Sequence, residues 1–98
     1  MNLQDTVSIV TGSSSGVGAA TAKMLVARGS KVVINFSRSV DAAKEIAKEC
    51  ESLGGQVMLC KADVSKDEDC LRMVDETLEK WGRLDALVNN AGTTKFVQ

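Results

Sequence analysis

Three glycines, at positions 12, 16 and 18, lie between a short apolar stretch (residues 8–10) and a helical pattern that begins at Ala19. Because glycine has no side chain, this spacing allows both a tight turn and a close approach of the backbone to another group. The helix that follows directs its free N–H groups and the positive end of its dipole at the turn, and such an end binds phosphate or pyrophosphate. We therefore predict the floor of a dinucleotide pocket here. An ordinary strand–helix loop is the alternative for the glycines taken alone.

The glycine turn opens a repeated strand–helix pattern. The predicted strands are β1 over 6–10, β2 over 31–36, β3 over 56–60 and β4 over 84–88; the predicted helices are α1 over 19–28, α2 over 39–53 and α3 from 65 to 81. Alternating strands and helices with short connections are typical of an α/β fold, here a partial Rossmann-type doubly wound parallel sheet. The predicted spatial strand order is 3-2-1-4, so that a ligand crevice lies outside the carboxyl ends of β1 and β4.

The helical periodicity also predicts how α2 and α3 start and pack. Ser65, followed by Glu68, is expected to form a capping box at the start of α3. The stripes expected to be buried are Ala43, Ile46, Ala47, Cys50 and Leu53 in α2, and Leu71, Val74, Leu78 and Trp81 in α3.

A second polar segment, Asn89-Asn90-Ala91-Gly92, follows β4 and is predicted to lie beside the glycine turn. The two asparagines can satisfy backbone groups across the crevice, while Ala91 and Gly92 leave room for a ligand. A plain polar turn after a strand is the alternative. Its predicted place beside the glycine turn favours the ligand-binding interpretation.

Composition excludes several classes of protein. An apolar fraction of 44% is ordinary for a globular domain, and a net charge of −1 without a basic patch disfavours nucleic-acid binding. No apolar run approaches the roughly 20 residues of a membrane span, and no secretory signal is present, so a cytoplasmic protein without a membrane partner is expected. Three cysteines ten residues apart, without histidine, predict free thiols and no metal site.

These segments resemble a known family. The stretch from Thr11 to Gly18 resembles the T-G-x-x-x-G-x-G cofactor motif of the short-chain dehydrogenases/reductases, and the segment from Asn89 to Gly92 is similar to their N-N-A-G motif. Asp63-Val64 resembles the acidic residue and its neighbour after β3. The resemblance covers the whole chain, in the right order and on the right elements. Residues 35–38 are similar to the 3-oxoacyl-[acyl-carrier-protein] reductase and sugar dehydrogenase branch.

At the glycine turn, the resemblance implies that Thr11 holds the two loops together and that the glycines shape the turn. Ser14 and Ser15 would contact the adenosine ribose and its phosphate. The N–H of Val17 would face the pyrophosphate.

Beyond the glycine turn, the resemblance implies that Asp63 accepts a hydrogen bond from the adenine amino group, with Val64 beside the ring. Asn89 and Ala91 would line the adenosine side. Asn90 would tie β4 to neighbouring backbone.

The residue types after β2 bear on which nicotinamide cofactor is preferred. Sites for NAD normally carry a carboxylate about 20 residues past the glycines, whereas an arginine there accommodates the 2′-phosphate of NADP. This chain has Phe36, Ser37 and Arg38, and no carboxylate before Asp41. NADP(H) is therefore expected to be preferred, with NAD(H) possible; a solvated Arg38 is the alternative. The candidate cofactor-binding residues are Thr11, Gly12, Ser14, Ser15, Gly16, Val17, Gly18, Ser37, Arg38, Asp63, Val64, Asn89, Asn90, Ala91 and Gly92.

The family's catalytic serine, and its tyrosine and lysine spaced Y-x-x-x-K, lie beyond the N-N-A-G motif. This chain contains no tyrosine and ends six residues after Gly92. Residues 1–98 are therefore expected to be the amino-terminal, dinucleotide-binding half of a Rossmann domain, with no catalytic residue of their own. The intact protein would be an NAD(P)-dependent oxidoreductase that transfers hydride between the cofactor and a small carbonyl or alcohol substrate, and it would form a homo-oligomer.

Two other functions are compatible with a glycine turn. The first is a catalytically inactive nucleotide-binding module, such as a truncated sensor or decoy subunit. The second is a methyltransferase that binds S-adenosylmethionine. That chemistry usually needs a carboxylate at the end of β2 for the ribose hydroxyls, and residues 36–38 supply none.

The 98-residue chain alone is predicted to be inactive, because the phenol that would exchange a proton with the substrate is missing. The measurement is NADPH oxidation with a panel of ketones, using highly purified chain. Turnover that follows the chain through successive purification steps would contradict the prediction.

Overall fold

The computed structural model describes residues 3–14 and 16–90, in which strands and helices alternate. The elements are β1 Val7–Val10, α1 Gly16–Ala27, β2 Lys31–Phe36, α2 Val40–Ser52, β3 Val57–Lys61, α3 Asp67–Trp81 and β4 Ala86–Val88. The main shift from expectation is that α1 begins at Gly16 instead of Ala19, directly at the glycine turn. None of the helices in these ranges has the length and apolar character that a bilayer span needs.

All four strands are parallel and lie in the order β3-β2-β1-β4, which confirms the predicted Rossmann-type topology. At the centre, Ile9 of β1 pairs with Val33 of β2 on one side and with Leu87 of β4 on the other. Because parallel strands end at the same edge of the sheet, this order puts the turn after β1 beside the end of β4.

Helices cover both faces of the sheet. On one face, Val10 and Ile34 pack with residues of α1 and α2, among them Ala22 and Ala43. On the other face, a second cluster joins the sheet to Met73 of α3. Strands β1 and β2, covered on both faces, are almost wholly buried, which explains their nearly continuous apolar sequences.

The predicted buried face of α3 is partly wrong. Met73 and Thr77 are buried there, whereas Leu71 is 66% exposed and Leu78 is 42% exposed. The other two predicted residues are half-buried. Thr77 can enter the core because its hydroxyl donates to the Met73 carbonyl at 2.7 Å, which satisfies its polar atom. Hydrophobicity alone therefore selected a stripe that is rotated away from the true contact face.

Two predicted helix ends also differ. Lys66 is the N-cap of α3 and makes no capping side-chain bond, so the capping box of Ser65 and Glu68 is wrong. The Ser65 hydroxyl instead donates to Asp63 Oδ1 at 2.6 Å. In α2 the stripe is buried as predicted except for Leu53, which is the exposed C-cap residue.

The three cysteines are free thiols, with Cys50 and Cys60 buried and Cys70 half-buried. Burial, followed by the hydrogen bond to Glu76, raises the pKa of Cys60 to about 11. The thiolate is the reactive form of cysteine, so this thiol is expected to be inert at neutral pH.

Strand β4 is the least covered part of the sheet. Among the described residues it pairs with β1 alone, and Leu87 is 46% exposed. An open, apolar strand edge is a template for pairing with another chain.

We therefore predict that the isolated 98-residue chain self-associates at micromolar concentration. Leu87→Lys should reduce the association, because lysine at a strand edge opposes edge-to-edge pairing. Sedimentation velocity over a concentration series is the measurement, and Leu53→Lys is the control, since Leu53 is similarly exposed at 52% but lies at the end of α2. A stable, folded monomer of the unmodified chain would contradict the prediction.

Candidate functional site

The buried side chain of Thr11 joins the glycine turn to the segment after β4. Its hydroxyl donates to Asn89 Oδ1 at 3.1 Å and accepts from the Asn90 backbone N–H at 2.8 Å. Its own backbone N–H donates to the Val88 carbonyl at 2.9 Å. The two sequence segments that were expected to meet are therefore held together by one threonine, which uses its hydroxyl both as donor and as acceptor.

At Gly18 the glycine turn packs so closely that a side chain would not fit. A Cβ atom on Gly18 would lie 2.3 Å from the Gly12 carbonyl oxygen and 2.7 Å from Asn90 Nδ2. Gly12 has a φ of 60°, in the left-handed region that favours glycine. Gly18 thus lets the start of α1 lie directly against both loops.

The amino end of α1 lies at this junction. Its first turn, residues 16–19, is described throughout and carries no acidic side chain. The first N–H groups of a helix have no partner within the helix, and the dipole makes this end positive. Val17, in this turn, is 72% exposed. The arrangement is suited to binding an anion such as a phosphate or pyrophosphate group.

Asn35, which the sequence analysis did not select, organises the neighbouring part of the site. This side chain, only 2% exposed, accepts a hydrogen bond from the Gly12 N–H at 2.9 Å. Its amide nitrogen donates to the carbonyls of Cys60 and Ala62 at 3.3 and 3.2 Å. The available signal was a single polar residue near the end of an otherwise apolar β2.

Asp63, in the loop between β3 and α3 (the β3–α3 loop, residues 62–66), is an exposed carboxylate. Hydrogen bonds from the Ser65 hydroxyl and backbone N–H lower its pKa, and the charges of Lys66 and Arg38 lower it further. The carboxylate is therefore ionised at neutral pH and acts as an acceptor only. Arg38 and Asp63 follow the ends of neighbouring strands, since Phe36 of β2 pairs with Lys61 of β3.

Two further residues that the sequence analysis missed support the β3–α3 loop. The Asp63 backbone N–H donates to the Asp69 carboxylate at 2.8 Å. Arg72 donates to the Lys61 carbonyl at 2.6 Å and lies 3.8 Å from Asp69. Together these contacts fasten the first turns of α3 to the end of β3.

Four further candidate residues lie within the described part of the chain. Ser37 and Arg38 are exposed after β2, and Ser14 is half-buried in the glycine turn. Val64 is half-buried against the cluster that contains Met73. The other candidates, Ser15, Ala91 and Gly92, lie outside the described residues.

The arrangement therefore brings an anion-binding helix end, a carboxylate acceptor and an arginine to one edge of the sheet. Among the described residues there is no histidine or tyrosine there to exchange a proton with a substrate at neutral pH. The chemistry that this edge supports is recognition of a ligand that carries phosphate groups.

Comparisons with known proteins identify the family of this chain. A family model described as short chain dehydrogenase matches residues 6–98. The chain is 42% identical over 89 residues to a 3-oxoacyl-[acyl-carrier-protein] reductase from Synechocystis, covering 91% of this chain and 36% of that protein.

Solved structures give the same result. A short chain dehydrogenase from Burkholderia cenocepacia in complex with NADP is 38% identical, with a TM-score of 0.89, over 97% of this chain and 39% of that one. A 7α-hydroxysteroid dehydrogenase in complex with NADH and a 7-oxo bile acid conjugate is 33% identical, with a TM-score of 0.88, over 94% of this chain and 36% of that one.

The chain spans little more than a third of the length of the curated relatives it matches, 35 to 36%. The match nevertheless includes the whole strand–helix pattern and the candidate site, and the family model covers nearly all of the sequence. The chain belongs to the short-chain dehydrogenase family of oxidoreductases.

Proposed function

We propose that this chain forms the NADP(H)-binding part of a short-chain dehydrogenase. The intact protein would act as an oxidoreductase on a small carbonyl or alcohol substrate. The observation that carries the proposal is the junction of the glycine turn, the amino end of α1 and the Asn89-Asn90 segment. The fit of backbone against backbone at Gly18 and the absence of acidic side chains from residues 16–19 both suit a bound pyrophosphate.

The proposal also includes a direction for the cofactor along this edge. The pyrophosphate would lie at the N–H groups of Val17 and Gly18, with the adenosine extending over the ends of β2 and β3. Ser14 and Ser15 would contact the ribose and its phosphate. Asp63 is held as an ionised acceptor, the state needed to receive a hydrogen bond from the adenine amino group.

Binding and orientation are the contributions of this part of the chain. The nicotinamide cofactor, when bound, supplies the hydride donor or acceptor. Thr11 and Asn90 would keep the β4 segment beside the glycine turn. This would fix one side of the cofactor site. The proton that the reaction requires would be exchanged by a residue outside residues 3–14 and 16–90.

The preference for NADP(H) rests on the residues after β2. Arg38 is exposed and offers a planar fork of donors for phosphate oxygens, and Ser37 beside it offers a hydroxyl. Related structures contain NADP in one case and NADH in another, so membership of the family does not decide the preference. The absence of a carboxylate from residues 36–40 supports the phosphorylated cofactor, because a carboxylate would repel a 2′-phosphate.

We predict that the protein expressed from its full coding sequence binds NADPH about ten- to a hundredfold more tightly than NADH, since a hydrogen bond to a charged group contributes roughly 1.5 to 3 kcal/mol. Arg38→Ala should remove most of this preference and leave NADH affinity within about threefold. Isothermal titration with both cofactors is the measurement.

Lys48→Ala is the matched control, because Lys48 is an exposed cation in the middle of α2. It should leave both affinities unchanged. Equal affinity of the unmodified protein for NADH and NADPH, or equal weakening of both by Arg38→Ala, would refute the role of Arg38. Failure to bind either cofactor would refute the proposed function itself.

A further inference from the structure

The buried amide of Asn35 bonds to two loops that come from opposite neighbours of β2. Towards β1, its Oδ1 accepts from the Gly12 N–H at 2.9 Å. Towards β3, its Nδ2 donates to the carbonyls of Cys60 and Ala62. The backbone requires this orientation of the amide, because an N–H can only donate and a carbonyl can only accept.

The backbone of Asn35 strengthens the contact with the glycine turn. Its N–H donates to Ser13 Oγ at 2.9 Å, and its carbonyl accepts from the Ser13 N–H at 3.0 Å. Ser13 is completely buried. One strand residue therefore holds the turn at two consecutive positions, Gly12 and Ser13.

On the other side, Asn35 reaches the start of the β3–α3 loop. The Ala62 carbonyl that it binds belongs to the peptide whose N–H is that of Asp63, and this N–H donates to Asp69. The Ala62 N–H in turn donates to the Phe36 carbonyl at 2.9 Å. The position of Asp63 is thus set jointly by β2, through Asn35 and Phe36, and by α3.

We propose that Asn35 is a positioning residue that couples the glycine turn to the β3–α3 loop, so that loosening either loop also loosens the other. Given the proposed function, on which this step rests, the two loops hold the pyrophosphate and the adenine of one cofactor. Asn35 would keep them at the separation that the adenosine diphosphate half requires, without contacting the ligand.

No other side chain of similar size supplies this set of bonds. Aspartate keeps the acceptor for Gly12 but has no donor for the two β3 carbonyls when it is ionised. Leucine has nearly the same shape and bonds to neither side, so it leaves three backbone groups without their partner. Aspartate therefore removes the bonds to Cys60 and Ala62 alone, whereas leucine also removes the bond to Gly12.

The test compares amide hydrogen exchange at Gly12, Ser13, Ala62 and Asp63 in the protein expressed from its full coding sequence. Asn35→Leu should raise exchange about tenfold or more at both loops, and Asn35→Asp should raise it mainly at Ala62 and Asp63. Ser13→Ala removes only the turn-side bond to the Asn35 backbone N–H, and coupling predicts that it also raises exchange at Ala62 and Asp63. This mild variant carries the test if the substitutions at Asn35 do not fold.

Ser30→Ala is the matched control. Ser30 is as buried as Asn35 and also forms side-chain hydrogen bonds, but it lies at the opposite edge of the sheet, beside Ser8 and Lys31. It should lower the melting temperature without raising exchange selectively at either loop. If Ser13→Ala affects only the turn, or Ser30→Ala gives the same pattern as Asn35→Leu, the coupling is refuted.

Titration with ADP separates this inference from the proposed function. ADP affinity should fall about tenfold in Asn35→Leu and stay within twofold of the unmodified protein in Ser30→Ala. If the unmodified protein does not bind ADP while the exchange pattern appears, the proposed function fails and the coupling stands. If ADP binds normally to Asn35→Leu, or the exchange pattern is absent, the role of Asn35 fails and the proposed function is unaffected.

Discussion

The carboxyl edge of the parallel sheet must satisfy its backbone hydrogen bonds with side chains. Where β1, β2 and β3 end, the regular pairing between strands stops, and a buried N–H or carbonyl without a partner costs about 1 to 3 kcal/mol. Asn35 pairs with three such groups and Thr11 with backbone on the β4 side. The loops that leave the strands are therefore fixed at their first residues, where a ligand would bind.

The groups that satisfy this edge are side chains of the strands and loops themselves, Asn35 and Thr11. Gly18 contributes by letting backbone pack against backbone, which brings the start of α1 into the same small region as Gly12 and Asn90. Charge is arranged around the outside of this region, with Arg38 after β2 and Asp63 after β3. Under the proposed function, a phosphate and a base that donates a hydrogen bond would be recognised at separate points along one edge.

The four strands differ in how deeply they are buried, and so in how firmly they hold the loops at the carboxyl edge. Strands β1 and β2 lie in the interior, with every residue of β1 buried, and they carry the glycine turn and Asn35. Strand β4 is short and largely exposed within the described residues, although it bears the Asn89-Asn90 segment. The Thr11 hydrogen bonds therefore matter most on the β4 side, where burial contributes least to holding the loop.

The sequence by itself determined the element order, the parallel topology and the meeting of the glycine turn with the segment after β4. Glycines at 12, 16 and 18, helical spacing in α2 and continuous apolar strands are local signals, and a doubly wound sheet is the arrangement that accommodates them all. The tertiary structure decided which face of α3 is buried, because Thr77 enters the core only by bonding to its own helix. It also decided the roles of Asn35 and Asp69, since neither residue has a spacing in the sequence that indicates its partners. Their partners lie on other elements, and only folding brings those backbone groups within hydrogen-bonding distance.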